Sequence, residues 1–240
     1  SFPTRRSSDL RTNIMKRILL LITVLLAIFV ITGCGDNKAA KASQTPQQTA
    51  QQINPNSKTL VVYFSMPETT TPENMTQEED NSTVVKNNKV LGNTQFMAET
   101  IANTIGADTF RIVPINPYPT DHKVLIAQAK EEQNQNARPK YEGTVTNLAD
   151  YDTIFIGYPN WWGDMPMILY AFLENNKMDG KTIIPFGTHG GSGFSNTVNT
   201  IQQLQPNAKV SRNGLMISRN DIQNGESTIT SWLRGLGYAK

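Results

Sequence analysis

Leu60-Val61-Val62-Tyr63-Phe64 is a continuous run of apolar, β-branched and aromatic residues that ends on a hydroxyl, Ser65. A run without polar alternation is what a strand buried on both faces requires. Three more runs of this kind follow, at Thr109-Phe110-Arg111-Ile112-Val113, Thr153-Ile154-Phe155-Ile156-Gly157 and Thr182-Ile183-Ile184-Pro185-Phe186, and Leu215-Met216-Ile217 is a weaker fifth. Pro185 has no N–H to give to a ladder, so the fourth run is expected to be distorted near its end.

Segments of helical period lie between the runs. Met97, Ile101 and Ile105 recur at i, i+4, i+8, Val198, Ile201 and Leu204 at i, i+3, i+6, and Ile229, Trp232, Leu233 and Leu236 form a last apolar face. Pro166 suits the first turn of a helix through Leu169, Tyr170 and Leu173, and 121–137 reads as a further helix. Strands alternating with helices from residue 58 to 240 predict an α/β fold, a parallel sheet with helices on both faces.

The residues before 58 read differently. Met15-Lys16-Arg17 is a basic start, and Ile18 to Ile31 is a 14-residue apolar run broken only by Thr23. Spanning a bilayer takes about 20 apolar residues, so this run fits the apolar region of a secretory signal. Ile31-Thr32-Gly33-Cys34 follows, and residues 15–33 resemble a bacterial lipoprotein signal peptide, which implies cleavage before Cys34 and lipidation of it. An ordinary signal peptide or membrane anchor with an incidental Cys is the other reading. Residues 1–14 precede Met15 without periodicity or motif and are expected not to be native. Residues 35–57 hold one large apolar side chain, Ile53, so 34–57 is expected to be a lipidated Cys and a tether reaching roughly 25 Å as a random coil.

Charge and composition exclude several classes. The 240 residues carry a net charge of +2, and without residues 1–33 they hold 17 basic and 19 acidic side chains, a poor match to nucleic acid. One Cys and two His leave no disulfide framework and no ligand cluster for structural zinc.

In an open parallel sheet the ligand site lies beyond the carboxyl ends of the strands, where strand order reverses. Three loops gather polar and glycine residues there. Ser65 follows the first strand, and Gly92-Asn93-Thr94 opens the Met97 helix, where hydroxyls and free N–H groups suit a phosphate. Tyr158-Pro159-Asn160-Trp161-Trp162-Gly163-Asp164 follows the third strand. Its paired Trp offer a wall to a flat aromatic ligand. In extended chain the two should point opposite ways, so one is expected to pack elsewhere. Thr188-His189-Gly190-Gly191-Ser192-Gly193-Phe194 follows the fourth strand, with Phe194 as a further apolar wall. His189 is expected to be a solvated loop residue, and Asp164 a helix cap.

These three loops, in this order and spacing, resemble the FMN-binding loops of the flavodoxin family over about residues 58–240. The resemblance implies a doubly wound five-stranded parallel sheet of order 2-1-3-4-5, the arrangement for which flavodoxin is the standard illustration. It further implies FMN as cofactor, its phosphate on the first loop and its ring between the other two. In the family the phosphate loop is continuous, whereas here the 26 residues 66–91 separate Ser65 from Gly92. This insertion carries five acids, Glu68, Glu73, Glu78, Glu79 and Asp80, against two lysines, so the phosphate role is expected to fall on Ser65, Asn93 and Thr94. The insertion either folds over the site or loops away from it.

Other chemistries fail on pattern. Gly191-Ser192-Gly193 is not the full nucleophile-elbow spacing, and both His122 and His189 precede Ser192. No Gly-Lys-Ser/Thr phosphate loop and no G-x-G-x-x-G at the first turn is present. The reading is thus an FMN-binding redox protein. It is either an electron carrier between proteins or a reductase of a quinone-like acceptor, exported and lipid-anchored to the outer face of the cytoplasmic membrane or another envelope membrane. A flavin-free binding or scaffold domain is the alternative.

Overall fold

The computed structural model describes residues 58–239; the upstream segment, the signal, Cys34 and the tether to residue 57 lie outside the described residues. The sheet begins with β1 (Thr59–Tyr63), and after an inserted segment the chain enters helix α2 (Asn93–Ile105). Strand β4 (Asp108–Arg111), helix α3 (His122–Asn134), strand β5 (Thr153–Pro159), helix α4 (Met167–Asn175), strand β6 (Thr182–His189) and helix α5 (Thr197–Leu204) follow. Short strands β7 (Lys209–Val210) and β8 (Leu215–Ser218) and helix α6 (Glu226–Gly235) complete the fold.

All pairings in this sheet are parallel, in the order β4-β1-β5-β6, with β7 and then β8 beside β6. Counted by position this is 2-1-3-4-5, the order that the family resemblance implies. The fifth position, however, is divided between two short strands, so the sheet has six strands rather than five. Pro185 gives the reason. The Ile183 carbonyl faces the fifth position, where it accepts the Ser211 N–H at 2.8 Å. Backbone polar groups alternate sides along a strand, so the missing N–H of Pro185 falls on that same side, opposite the break between β7 and β8. Strand β6 itself runs on undistorted to His189.

The two faces of β1 bury alternate residues. Leu60, Val62 and Phe64 join Ile154, Ile156 and Ile183 under α3, α4 and α5, through Leu125, Ile168, Leu169, Phe172 and Ile201. Val61 and Tyr63 join Phe155, Ile184 and Phe186 under α2 and α6, through Phe96, Met97, Ile101, Ile229 and Leu233. The period of two along the strand thus divides one apolar run between two cores. Two boundaries move from the sequence reading. The second strand stops at Arg111, leaving Val113 exposed before Pro114, and α3 spans His122–Asn134, with the Asp121 carboxylate accepting the Val124 N–H at 3.0 Å.

The insertion has structure of its own. Helix α1 (Gln77–Ser82) opens with a capping box in which Thr76 and Glu79 bond each other's backbone N–H. Strands β2 (Thr83–Lys86) and β3 (Lys89–Gly92) then form an antiparallel ribbon. Its turn is Asn87-Asn88 at φ 52° and 59°, a two-residue turn with both φ positive, which Asn tolerates. Val84 and Leu91 are buried in the α2 and α6 core, and Lys86 pairs with Glu226 at 2.7 Å.

Gly157 in the middle of β5 is fixed by packing, because a Cβ there would meet the ring of the fully buried Phe186. Gly157→Ala should therefore destabilise the domain by about 1–3 kcal/mol. A chemical denaturation curve compared with wild type checks this.

Candidate functional site

The cleft lies at the carboxyl ends of β1, β5 and β6 and encloses about 800 Å³. Ser65, Asn93 and Thr94 line it from the first loop, Pro159, Asn160, Trp161, Trp162 and Gly163 from the second, and Thr188, His189, Gly190, Gly191 and Ser192 from the third. Gly92 and Gly193 stand just behind this wall. A Cβ on Gly92 would collide with Ser65 Oγ, so the glycine is what lets Ser65 approach the helix. The Gly193 carbonyl accepts a bond from Asn160 Nδ2 at 2.8 Å.

Ser65 and α2 close the first part of the site. The N-cap, Gly92, has no side chain to cap with, and Ser65 Oγ accepts the Gln95 N–H at 3.1 Å from 30 residues away. The Ser65 O–H remains to donate elsewhere. Thr94 Oγ1 lies 3.3 Å from Thr188 Oγ1, the Asn160 N–H donates to the Thr188 carbonyl at 2.7 Å, and Asn160 Nδ2 reaches Ser195 Oγ at 3.1 Å. Hydrogen bonds therefore tie the first loop to the third and the third to the second. His189 Nδ1 accepts the Gly191 N–H at 2.8 Å, so this half-buried ring shapes its own loop and is not the solvated side chain expected.

The paired Trp are not in extended chain. Trp161 and Asp164 exchange backbone bonds at 2.8 and 3.0 Å, and the two residues between them, Trp162 and Gly163, both have positive φ, 54° and 78°. The turn separates the indoles. Trp161 packs edge-on to Phe64 and Tyr118 with ring centroids 5.5 and 5.6 Å away. Trp162 is 55% exposed and held by its Nε1 bond to the Ile126 carbonyl at 3.0 Å. Asp164 does not cap α4, whose N-cap is Pro166. Its carboxylate instead accepts from the Met165 N–H and the Tyr170 hydroxyl, both at 2.8 Å. Phe194 packs into the core against Gly214 and forms no wall of the cleft.

Sequence reasoning missed several lining residues. Glu68, Glu78, Asn81 and Ser82 come from the insertion, which therefore borders the cleft and does not loop away. His122 and Leu125 come from α3, and Arg219 follows β8, its guanidinium against Gly190. Only the position of Arg219, just past a strand's carboxyl end, carried a signal. The charged lining is mixed, with Glu68 and Glu78 against His122 and Arg219. Glu68 is buried, and desolvation pushes its carboxyl above the usual range, while the bond from His122 draws it back.

Two buried polar atoms have no partner among the described residues, Asn93 Oδ1 and Asn160 Oδ1, and both residues line the cleft. Each amide is oriented by its Nδ2, which donates to the Asn81 carbonyl at 2.8 Å in one case and to Gly193 in the other. An orphaned buried acceptor is costly, by about 1–3 kcal/mol, so each calls for a hydrogen-bond donor, which a ligand or an ordered water can supply.

A family model described as Flavodoxin matches residues 82–235. Among solved structures, a chain from Bacteroides eggerthii, provisionally described as a flavoprotein, is 28% identical at a TM-score of 0.57, over 76% of this chain and 99% of that one. A similarly described chain from Bacteroides uniformis is 27% identical at a TM-score of 0.53, over 70% and 97%. A flavoprotein from Lactobacillus acidophilus in complex with FMN is 20% identical at a TM-score of 0.49, over 71% and 99%. No curated protein matches significantly. The family model covers more than half of the 240 residues, and it falls on a sheet of order 2-1-3-4-5 whose loops converge on one cleft: the chain belongs to the flavodoxin family.

Proposed function

We propose that this domain binds FMN without a covalent bond and acts as a redox protein at a membrane surface, passing electrons to a partner protein or to a quinone-like small molecule. The observation that carries the reading is the pair of orphaned acceptors, Asn93 Oδ1 and Asn160 Oδ1, in a cleft framed by a helix start and a turn bearing an indole. FMN fits that set of groups. Its ribityl hydroxyls and ring N–H are the donors that two buried carbonyl oxygens need. Its phosphate needs donors and a positive dipole end, which the Asn93-Thr94 start of α2 and the hydroxyls of Ser65 and Thr94 provide. The small residues Gly190 and Gly191 let the third-loop backbone come close to the ring, and Trp162, held by its Nε1 bond to the Ile126 carbonyl, presents an exposed indole that can cover one face of it. Bound there, the flavin supplies the redox chemistry, while the chain holds it and adjusts its potential.

Selectivity for the phosphate is the sharpest test. FMN should bind more tightly than riboflavin, because the phosphate adds charge-assisted bonds, and titration by flavin fluorescence compares the two. Equal affinity defeats the phosphate assignment, and no quenching by either defeats the flavin reading and favours a scaffold role. The two indoles should separate in the same assay. Trp162→Ala should weaken FMN binding by about 1–3 kcal/mol, as for other heteroaromatic rings stacked on aromatic side chains, with little loss of fold stability. Trp161→Ala should lower stability by about 2–4 kcal/mol through its lost packing on Phe64 and Tyr118.

The location belongs to the same proposal. Residues 15–33 act as a lipoprotein signal peptide, Cys34 carries the lipid, and 34–57 tethers the domain outside the cytoplasmic membrane, near membrane-borne donors or quinones. What supports this is a basic start, a 14-residue apolar run too short to span, and the placement of the sole Cys directly after it. Cys34→Ser should release the protein from membranes or leave it unprocessed. Fractionation with mass spectrometry of the N-terminal peptide decides, and an unmodified Cys34 in a cytoplasmic protein overturns the location.

A further inference from the structure

The cleft contains an acid–base pair that a carrier of single electrons has no use for. Glu68 Oε1 and Oε2 lie 3.1 and 3.0 Å from His122 Nδ1, and both residues line the cleft. Glu68 is held from behind, since its N–H donates to Ser82 Oγ at 2.9 Å and the Ser82 hydroxyl donates to the Glu79 carbonyl at 2.9 Å. Its side chain is 8% exposed and that of His122 38%, so the carboxylate is shielded while the imidazole meets both cleft and water. A carboxylate on Nδ1 fixes the tautomer and orientation of the ring and leaves Nε2 as the nitrogen that exchanges a proton. Glu78 and Glu79 of α1 also face Glu68, and Asp121 and Lys123 flank His122 along the chain. Asp121 is occupied in capping α3, so Glu68 is the carboxylate in contact with the ring.

We propose that His122 is the proton donor of a two-electron reduction in this cleft, with Glu68 as its positioning residue, and that the acceptor is a conjugated carbonyl compound of the quinone class; this rests on the flavin reading above. A quinone takes two electrons and one proton as a hydride from the reduced flavin, which is left oxidised. The hydride becomes the O–H of one quinone oxygen, the ring becomes aromatic, and the far oxygen is left as the phenolate of the hydroquinone monoanion. That oxygen forms its O–H bond with the Nε2 proton of the doubly protonated His122 ring as that N–H bond breaks, and Nδ1 keeps the other proton. The neutral ring then recovers a proton from water along its exposed edge. Transfer of a single electron to an outer-sphere acceptor creates no such oxyanion and needs no donor, which is why the pair favours a reductase over a carrier.

The test compares two acceptors. The FMN-loaded protein is reduced anaerobically with dithionite and mixed in a stopped-flow instrument with menadione in one arm and ferricyanide, a one-electron acceptor that takes no proton, in the other. In His122→Gln the ratio of the menadione rate to the ferricyanide rate should fall by roughly 10²–10⁴-fold, the ordinary worth of a positioned general acid, and the deuterium solvent effect on the menadione arm should change with it. Gln keeps a donor for Glu68, so a pair that merely clasps the insertion would leave the ratio unchanged, and that result overturns the proposal. Nitrogen NMR of the flavin-free protein gives a second readout. The His122 ring should carry its proton on Nδ1 in wild type and lose that preference in Glu68→Gln, and identical spectra overturn the role of Glu68. Failure of wild type to take up FMN defeats the flavin reading and this step with it, whereas normal FMN uptake with an unchanged ratio defeats this step alone.

Discussion

Ser65 and Gly92 are separated by 26 residues, yet Ser65 Oγ accepts the Gln95 N–H at 3.1 Å, and the whole first wall of the cleft depends on that closure. Bringing together the ends of an unstructured loop of this length costs about 3 kcal/mol in chain entropy. The insertion offsets this by not being an unstructured loop. Its ribbon buries Val84 and Leu91 against α2 and α6, worth about 1.5–3 kcal/mol each, and its helix starts on a capping box. Gly92 supplies the geometry, since any side chain there would displace Ser65 from the helix start. The first wall of the cleft is thus interrupted along the chain and restored in space.

The sheet was legible because its central strands β1, β5 and β6 are buried on both faces and leave unbroken apolar runs, whereas the edge strand β4 is largely exposed and its Thr109–Val113 run was the less telling signal. The three cleft loops were legible for a related reason. Parallel topology sends every loop that follows a strand to the same edge, so motifs spread from Ser65 to Ser192 had to meet. What escaped were features set by contacts distant in sequence. Glu68 and His122 meet only because the insertion folds back onto α3, and no local pattern around either residue signals the other. The division of the fifth strand follows from Pro185, which the sequence displays, but it falls on the neighbouring strand and leaves β6 continuous. The hairpin in the insertion carries a local signal, Asn87-Asn88 between Thr83–Lys86 and Lys89–Gly92, within a stretch otherwise dominated by acidic and polar residues.

Charge along the cleft bears on which ligand atoms go where. Glu68 and Glu78 enter from the insertion, and the basic side chains among the lining residues are Arg219, His122 and His189. A phosphate held mainly by cationic side chains would require a more basic wall than this one. The helix start, the hydroxyls and the backbone donors are what the site has to offer an anion, and they sit together at α2. The buried Glu68 carboxylate lies with His122, whose Nδ1 is 3.0 Å away. The wall is thus divided into a part that suits an anion and a part that suits proton exchange.

Trp162 provides an independent argument that the cleft is built for a ligand. A bulky side chain at φ 54° is uncommon and costs roughly 1–2 kcal/mol relative to ordinary backbone. Folding alone gains little from it, because the indole stays 55% exposed and does not enter the core. The strain is nonetheless fixed from several sides, by the backbone bonds between Trp161 and Asp164, by Gly163 at φ 78°, and by the indole N–H on the Ile126 carbonyl. Strain that the surroundings maintain without benefit to the core is characteristic of residues placed for binding. An exposed indole held rigidly at the mouth of a cleft loses little conformational freedom when a flat ring settles on it, so the strain accepted on folding is recovered as affinity when a ligand binds.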